Sequence, residues 1–156
     1  MRKLSSILAI LFIIITVSCT RTANQIEELD LKDIDRKFSE YSVKHGVNAA
    51  FIKYADESGV ILRENSMPIE GIKNIRELYK GDDSNIQLSW EPSYAAVAKS
   101  GELGYTYGIF DLWNKATNEH SYGTYVSIWR RNSIGQWRFV LDTGNQGLVP
   151  PEKIDQ

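Results

Sequence analysis

Residues 86–145 decide the fold, and they read IQLSWEPSYAAVAKSGELGYTYGIFDLWNKATNEHSYGTYVSIWRRNSIGQWRFVLDTGN. This stretch holds all four tryptophans of the chain and five of its eight tyrosines. It divides into runs of strand-type composition separated by short breaks rich in Gly, Asn and Ser, and these runs cover 86–98, 103–114, 121–131 and 136–143. Consecutive strands joined by short turns predict an antiparallel meander.

The second run alternates between two faces, and neither face is plainly polar. One face consists of Leu103, Tyr105, Tyr107, Ile109, Asp111 and Trp113. The other consists of Gly104, Thr106, Gly108, Phe110 and Leu112. We therefore expect both faces to be covered, one by helices and the other by a partner subunit, a ligand or both. Glycines on a shared face mark bends and close backbone approach, so the sheet is expected to curl strongly.

Three helices are predicted before the meander. The first begins near residue 27 or 30 and ends before Gly46, with one apolar stripe formed by Leu31, Ile34, Phe38, Tyr41 and His45. The polar residues between them, which include Asp35 and Ser39, are placed on the solvent side. Helical spacing predicts a second helix over 47–56 and a third over 72–79. Pro92 cannot donate a ladder hydrogen bond, so it predicts a bulge, a bend or an edge in the first long strand.

The N-terminus predicts export and a lipid anchor. Two basic residues precede an apolar run of eleven residues, 7–17, which is too short to span a bilayer as a helix. The run is followed by Ser18 and by Cys19, the only cysteine, in a context that resembles a bacterial lipoprotein signal. We expect a signal peptide over 1–18, a lipidated tether over 19–26 and one domain over 27–146. The remaining residues, 147–156, are predicted to form a flexible tail.

Composition excludes several classes of function. The formal net charge of −2 and the pI near 5.7 argue against a nucleic-acid partner, because phosphate recognition usually needs a basic face. The sequence contains no phosphate-binding loop, dinucleotide fingerprint or nucleophile elbow, so no cofactor is predicted. His45 and His120 are far apart and Cys19 belongs to the anchor, which leaves no metal-ligand set. The N-terminal apolar run and Cys19 predict that the protein is exported and lipid-anchored in the bacterial cell envelope.

Several phrases carry a resemblance to a known family. They are AAF at 49–51, YAD at 54–56, GVIL at 59–62, PIEG at 68–71, SGELGYTYG at 100–108, GTYVSIWR at 123–130, GQWR at 135–138 and DTGN at 142–145. With three helices followed by a meander, they resemble the NTF2-like (cystatin-like) superfamily, in its SnoaL-like and DUF4440-type branch. The resemblance implies an α+β cone, in which three N-terminal helices pack on a strongly curved antiparallel sheet. We also expect a homodimer through the outer face of that sheet, since that face needs to be covered.

The resemblance leaves function open, because this superfamily includes isomerases, dehydratases, hydrolases, cyclases and transport adaptors. Binding of a small apolar or aromatic molecule in the cone is the leading hypothesis. An isomerase- or dehydratase-like enzyme, with Asp142 as acid/base and Tyr105 or Tyr107 as its partner, is the first alternative. An adaptor that binds a protein through its sheet face is the second.

Asp142 is the candidate catalytic residue. It lies in an otherwise apolar strand, where an unpaired charge costs several kcal/mol. The alternative interpretation is that Asp142 only accepts hydrogen bonds at the rim of the pocket. The proposed ligand contacts are Trp90, Tyr105, Tyr107, Tyr125, Trp129, Asp142 and Asn145. Trp129 fits core or interface packing equally well, and a phase error of one residue would exchange Tyr105 for Thr106.

Overall fold

The structure, a computed structural model, describes residues 23–148. The predicted signal peptide, Cys19 and most of the predicted tail lie outside the described residues. Nine elements follow one another along the chain: α1 (Ala23–His45), α2 (Val47–Tyr54), β1 (Ala55–Leu62), β2 (Ile69–Glu70), α3 (Gly71–Leu78), β3 (Ile86–Val97), β4 (Leu103–Asn114), β5 (Glu119–Arg131) and β6 (Trp137–Leu148). All three helices and the four long strands predicted from the sequence are present.

The strands form one six-stranded sheet in the order β2-β1-β6-β5-β4-β3. Strands β3 to β6 make the expected antiparallel meander. The sheet as a whole is mixed, because β1 pairs in parallel with β6. Parallel neighbours need a long connection, and here α3 and the first three meander strands supply it. The last strand of the meander, β6, thus lies beside β1.

Pro92 occupies a bulge in an edge strand, as predicted. The pairing of β3 with β4 shifts register between Pro92 and Tyr94, and β3 is the last strand of the sheet. The shift changes which residues of β3 face inward: Pro92 is buried before it, and Ala95 and Val97 are buried after it. Tyr94 consequently faces outward.

Helix α1 crosses the concave face of the sheet and forms the centre of the core. The Phe38 ring lies 4.6 Å from the Trp90 ring and 5.0 Å from the Phe51 ring, measured between centroids. Trp129 and Phe139, from β5 and β6, are fully buried beneath it. Burial of such aromatic side chains stabilises a fold by about 1.5–3 kcal/mol each, so the helix is held mainly by this contact.

The prediction that Asp35 and Ser39 of α1 face solvent is wrong. Asp35, Ser39 and Ser42 are buried against the sheet. Ser39 Oγ accepts a hydrogen bond from the Trp90 backbone N–H at 2.8 Å, and Ser42 Oγ donates to the Leu88 carbonyl oxygen at 2.8 Å. These bonds satisfy backbone groups in the inner part of an edge strand, which is why polar side chains are tolerated there.

Among residues 23–148, the helices are all too short or too polar to cross a membrane. Helix α1, the longest of them, carries charged side chains along much of its length. This finding concerns the described helices alone.

Candidate ligand cavity

A cavity of about 1040 Å³ lies between the helices and the concave face of the sheet. Its apolar wall combines aliphatic side chains with the rings of Phe38, Phe51, Trp90, Phe110 and Tyr125. Polar and charged side chains from several elements also line it, among them Arg63, Tyr79, Ser127, Asp142 and Asn145. A concave surface that combines apolar and aromatic walls with polar groups is the usual form of a small-molecule site.

Asp142 faces this cavity from β6. It pairs across the sheet with Ser127 of β5, whose hydroxyl donates to Asp142 Oδ2 at 2.6 Å. Burial raises the pKa of Asp142 to about 7, and the negative charge of Asp35 adds to this effect. The hydrogen bond from Ser127 and the positive charge of Arg63 oppose it. A carboxyl group with a pKa near neutrality can both take up and release a proton under ordinary conditions.

Asp35 lies behind the aromatic wall and joins α1 to three strands. Its Oδ1 accepts a hydrogen bond from Trp90 Nε1 at 2.8 Å, and its Oδ2 accepts one from the Tyr125 hydroxyl at 2.7 Å. The Thr106 hydroxyl also bonds to it. Burial raises the pKa of Asp35, and these three hydrogen bonds counteract the rise. Neutral donors thus compensate a carboxyl group that is fully shielded from solvent.

Arg63 and Tyr79 form a second polar pair in the cavity. Arg63 Nη2 donates to the Tyr79 hydroxyl oxygen at 3.2 Å. Burial raises the pKa of Tyr79, and the nearby Arg63 charge opposes this shift. The phenol therefore stays protonated at neutral pH, and its own proton remains available to a ligand.

Solved structures similar to this chain were found, whereas no family model and no curated protein matches the sequence. A ketosteroid isomerase-like protein from Erwinia carotovora atroseptica is 14% identical with a TM-score of 0.63, over 78% of this chain and 97% of that one. An NTF2-like protein with a cystatin-like fold from Novosphingobium aromaticivorans is 13% identical with a TM-score of 0.62, over 92% and 90%. An NTF2-like superfamily protein from Salmonella enterica is 12% identical with a TM-score of 0.60, over 86% and 100%.

This chain has the NTF2-like, cystatin-like fold. The likeness extends over most of the described residues, and it confirms the α+β cone predicted from the sequence. At 12–14% identity, the NTF2-like neighbours establish the fold alone and leave activity to the site.

Four predicted ligand contacts line the cavity of this NTF2-like cone. They are Trp90, Tyr125, Asp142 and Asn145. Trp129 does not reach the cavity, because it is fully buried in the core with its Nε1 donating to Thr106 Oγ1 at 2.9 Å. Of the two roles that the sequence left open for Trp129, the structure shows core packing.

Tyr105 and Tyr107 lie on the outer face of the sheet, so their placement in the pocket is wrong. They are 41% and 47% exposed, and Tyr107 stacks on Tyr94 with 5.5 Å between ring centroids. Thr106, between them, is the residue that faces inward. The predicted alternation of side chains along β4 is present, but the face that carries Tyr105 and Tyr107 points outward and not into the pocket.

Sequence reasoning missed Asp35, Ser127 and Arg63. For Asp35 a signal existed: Leu31, Asp35 and Phe38 follow the i, i+4, i+7 spacing of one helical face. For Ser127, the signal was its alternation with Tyr125, which puts both side chains on the same side of β5. Arg63 follows the end of β1, and its approach to the cavity depends on the parallel pairing of β1 with β6.

The two histidines lie away from the cavity. The His45 ring stacks on Tyr41 at 4.2 Å between centroids, as expected for a packing residue at a helix end. His120 Nδ1 lies 2.8 Å from Asp111 Oδ1, and the His120 ring stacks between Trp113 and Tyr122. Within residues 23–148 no group of three or more His, Cys, Asp or Glu side chains is arranged to hold a metal ion.

Proposed function

We propose that this protein binds a small, largely apolar molecule in the cavity of its cone. The observation that carries the proposal is a hollow of about 1040 Å³ that is lined by aromatic and aliphatic side chains and by the Asp142 carboxyl group. A volume of this size accommodates a drug-sized organic molecule. A protein-binding adaptor has no need of such a hollow, so the ligand-binding interpretation is favoured over the adaptor.

Binding of the neutral apolar dye N-phenylnaphthylamine tests this proposal, with its fluorescence recorded during titration of the mature chain. Leu112 of β4 lines the cavity, whereas Ile109 of the same strand is exposed on the outer face. We expect Leu112→Trp to fill the cavity and weaken dye binding by on the order of tenfold. Ile109→Trp is the matched control and should bind the dye as the wild type does. Absence of dye binding to the wild type, or equal affinity of the two variants, would contradict the proposal.

Acid–base catalysis by Asp142 is the second candidate function. Its support is the carboxyl group in an apolar cavity with its pKa raised to about 7, together with structural neighbours described as ketosteroid isomerase-like. The phenol that keeps its proton free to donate in the cavity is that of Tyr79, since Tyr105 and Tyr107 face away and Tyr125 donates to Asp35. Exchange of the protons next to the carbonyl of a small apolar ketone in D₂O, followed by NMR, tests this function. Asp142→Asn should slow exchange by roughly 10²-fold or more, and equal rates would exclude the role.

Attachment to a membrane through Cys19 is proposed on the sequence signal alone, as is the SnoaL-like, DUF4440-type subfamily. The signal is the short apolar run, 7–17, that lies just before this cysteine. Cell fractionation tests the anchor: Cys19→Ser should release the protein from the membrane fraction. Retention of the variant in membranes would refute the anchor.

Homodimer formation through the outer face stays a prediction. That face presents an exposed aromatic and aliphatic patch formed by Tyr94, Leu103, Tyr105, Tyr107 and Ile109. Continuous apolar surface of this kind is typical of association sites. Light scattering on the chain from Thr20 onward should give a dimer mass at micromolar concentration, and a monomer mass would contradict the prediction.

A further inference from the structure

Three hydrogen-bond donors of residues that line the cavity are already committed within the protein. Tyr125 donates its hydroxyl proton to Asp35 at 2.7 Å, and Trp90 donates its indole N–H to the same carboxyl group at 2.8 Å. Ser127 donates to Asp142 at 2.6 Å. A hydroxyl group has one proton and two acceptor lone pairs, so Tyr125 and Ser127 retain acceptor capacity only.

Asp142 completes this acceptor surface. Its Oδ2 accepts from Ser127, and within residues 23–148 its Oδ1 receives no hydrogen bond from a protein donor. Tyr125 and Ser127 are two residues apart on the same face of β5, and Asp142 lies directly across the sheet from Ser127. Tyr125, Ser127 and Asp142 therefore form one cluster of acceptor groups, from two adjacent strands, among the residues that line the cavity.

Asp35 keeps the donors turned away from the cavity. It is fully buried, and both of its oxygens accept hydrogen bonds from the aromatic wall. Turning the Tyr125 proton towards a ligand would remove one of these bonds from a buried carboxyl group, which is unfavourable. Donors elsewhere in the cavity, which include the Arg63–Tyr79 pair and the amide groups of Asn145 and Gln146, are available to an acceptor on another part of the ligand.

We propose that the ligand presents an O–H or N–H group to Asp142 and Tyr125, which makes it an apolar alcohol, phenol or amine. This inference rests on the proposed binding of an apolar molecule in the cavity and specifies the class of that molecule. When Asp142 is ionised, a ligand whose only polar atom there is an acceptor, such as an ether or ketone oxygen, meets unfavourable oxygen–oxygen contact.

Isothermal titration calorimetry with naphthol and its methyl ether tests the inference, because the two probes share one apolar body and differ in the donor. At about pH 8, where Asp142 with its pKa of about 7 is mostly ionised, we expect naphthol to bind about tenfold more tightly than the ether. Naphthylmethylamine is measured beside them. Tighter binding of this amine than of naphthol would indicate an amine ligand, and tighter binding of naphthol would indicate an alcohol or phenol.

The outcomes separate this inference from the proposed function. Equal binding of naphthol and the ether, or tighter binding of the ether, would overturn the inference while leaving cavity binding intact. Failure of both probes to bind would instead contradict the cavity proposal itself. Asp142→Asn should reduce the preference for naphthol to about twofold or less. The matched control is Tyr107→Phe, which removes a phenol hydroxyl from the outer face and should keep the wild-type preference.

Lower pH supplies a second measurement on the unmodified protein. At about pH 5.5 the Asp142 carboxyl is mostly protonated, because burial raises its pKa to about 7. The protonated group can donate to the ether oxygen. The ratio of the affinity for naphthol to the affinity for the ether should therefore be severalfold smaller than at pH 8. A preference that does not change between the two pH values would contradict the role of Asp142.

Discussion

Asp35 and Asp142 are the two carboxyl groups on which the interior of this cone depends. Asp142 was identified from the sequence because a charge in an apolar strand requires a reason. The charge of Asp35 predicts a position in solvent, whereas its spacing from Leu31 and Phe38 predicts the buried face of the helix. The structure shows that Asp35 meets three neutral donors from three strands, and no pattern within α1 could predict partners so distant in sequence.

Removal of the Asp35 carboxyl should destabilise the fold strongly. Asp35→Ala leaves the buried donors of Trp90, Thr106 and Tyr125 without an acceptor, so we expect the free energy of unfolding to fall by about 3 kcal/mol. Asp33→Ala is the matched control, because Asp33 is half-exposed and makes only a surface ion pair with Lys37. That variant should lose less than about 1 kcal/mol. Chemical denaturation measures both, and equal losses would contradict the structural role of Asp35.

Asp142 should make the protein less stable as the pH rises from about 4 to about 7. Its pKa is about 7 in the folded state against an ordinary value of 3.8. The folded state therefore binds more protons than the unfolded state in this window. The stability that the neutral carboxyl contributes is complete below the unfolded pKa and is lost as the pH rises through the folded pKa.

The Asp142→Asn variant isolates this dependence. We expect the unfolding free energy of the variant to rise relative to that of the wild type by on the order of 3 kcal/mol between pH 4 and pH 7. The difference between the two proteins removes the contribution of other groups, including Asp35, whose pKa is also raised. Parallel pH profiles of wild type and variant would show that Asp142 titrates normally.

At the scale of elements, strand β4 shows what alternation can and cannot predict. Its bounds, Leu103–Asn114, and its two faces were predicted correctly. The choice between the faces depends on what the helices cover, and both faces carry large apolar side chains. The deciding feature is space: Gly104 and Gly108 face inward, where Leu31 and Tyr125 occupy the room that a side chain would need.

Gly108 tests this requirement for space. A Cβ atom there would collide with the Glu91 carbonyl oxygen and come within 2.9 Å of the Tyr125 ring. We expect Gly108→Ala to lower the free energy of unfolding by about 1–3 kcal/mol. Gly81→Ala is the control, since a Cβ at Gly81 meets no atom within 4 Å, and it should change stability by less than about 0.5 kcal/mol. Thermal unfolding of both variants gives the comparison, and a harmless Gly108→Ala would contradict this packing.

At the scale of the whole molecule, the order of elements was predictable because strong local signals repeat along the chain. Pro92, the turn glycines and the helical stripe of α1 each specified one feature that the structure confirms. The parallel pairing of β1 with β6 was not predictable from them, since it joins segments about eighty residues apart and rests on long-range contact alone. That pairing brings Arg63 to the cavity, so part of the site could be seen only in the assembled fold.

The central claim is that Asp142 is a carboxyl group enclosed in a ligand cavity. Carbon NMR of the Asp142 side chain, assigned by comparison with Asp142→Asn, tests it directly when the pH titration is run with and without N-phenylnaphthylamine. We predict titration near pH 7 in the free protein, with a further rise when the apolar dye displaces water from around the carboxyl group. Titration near the ordinary value of 3.8, unaffected by the dye, would contradict the claim.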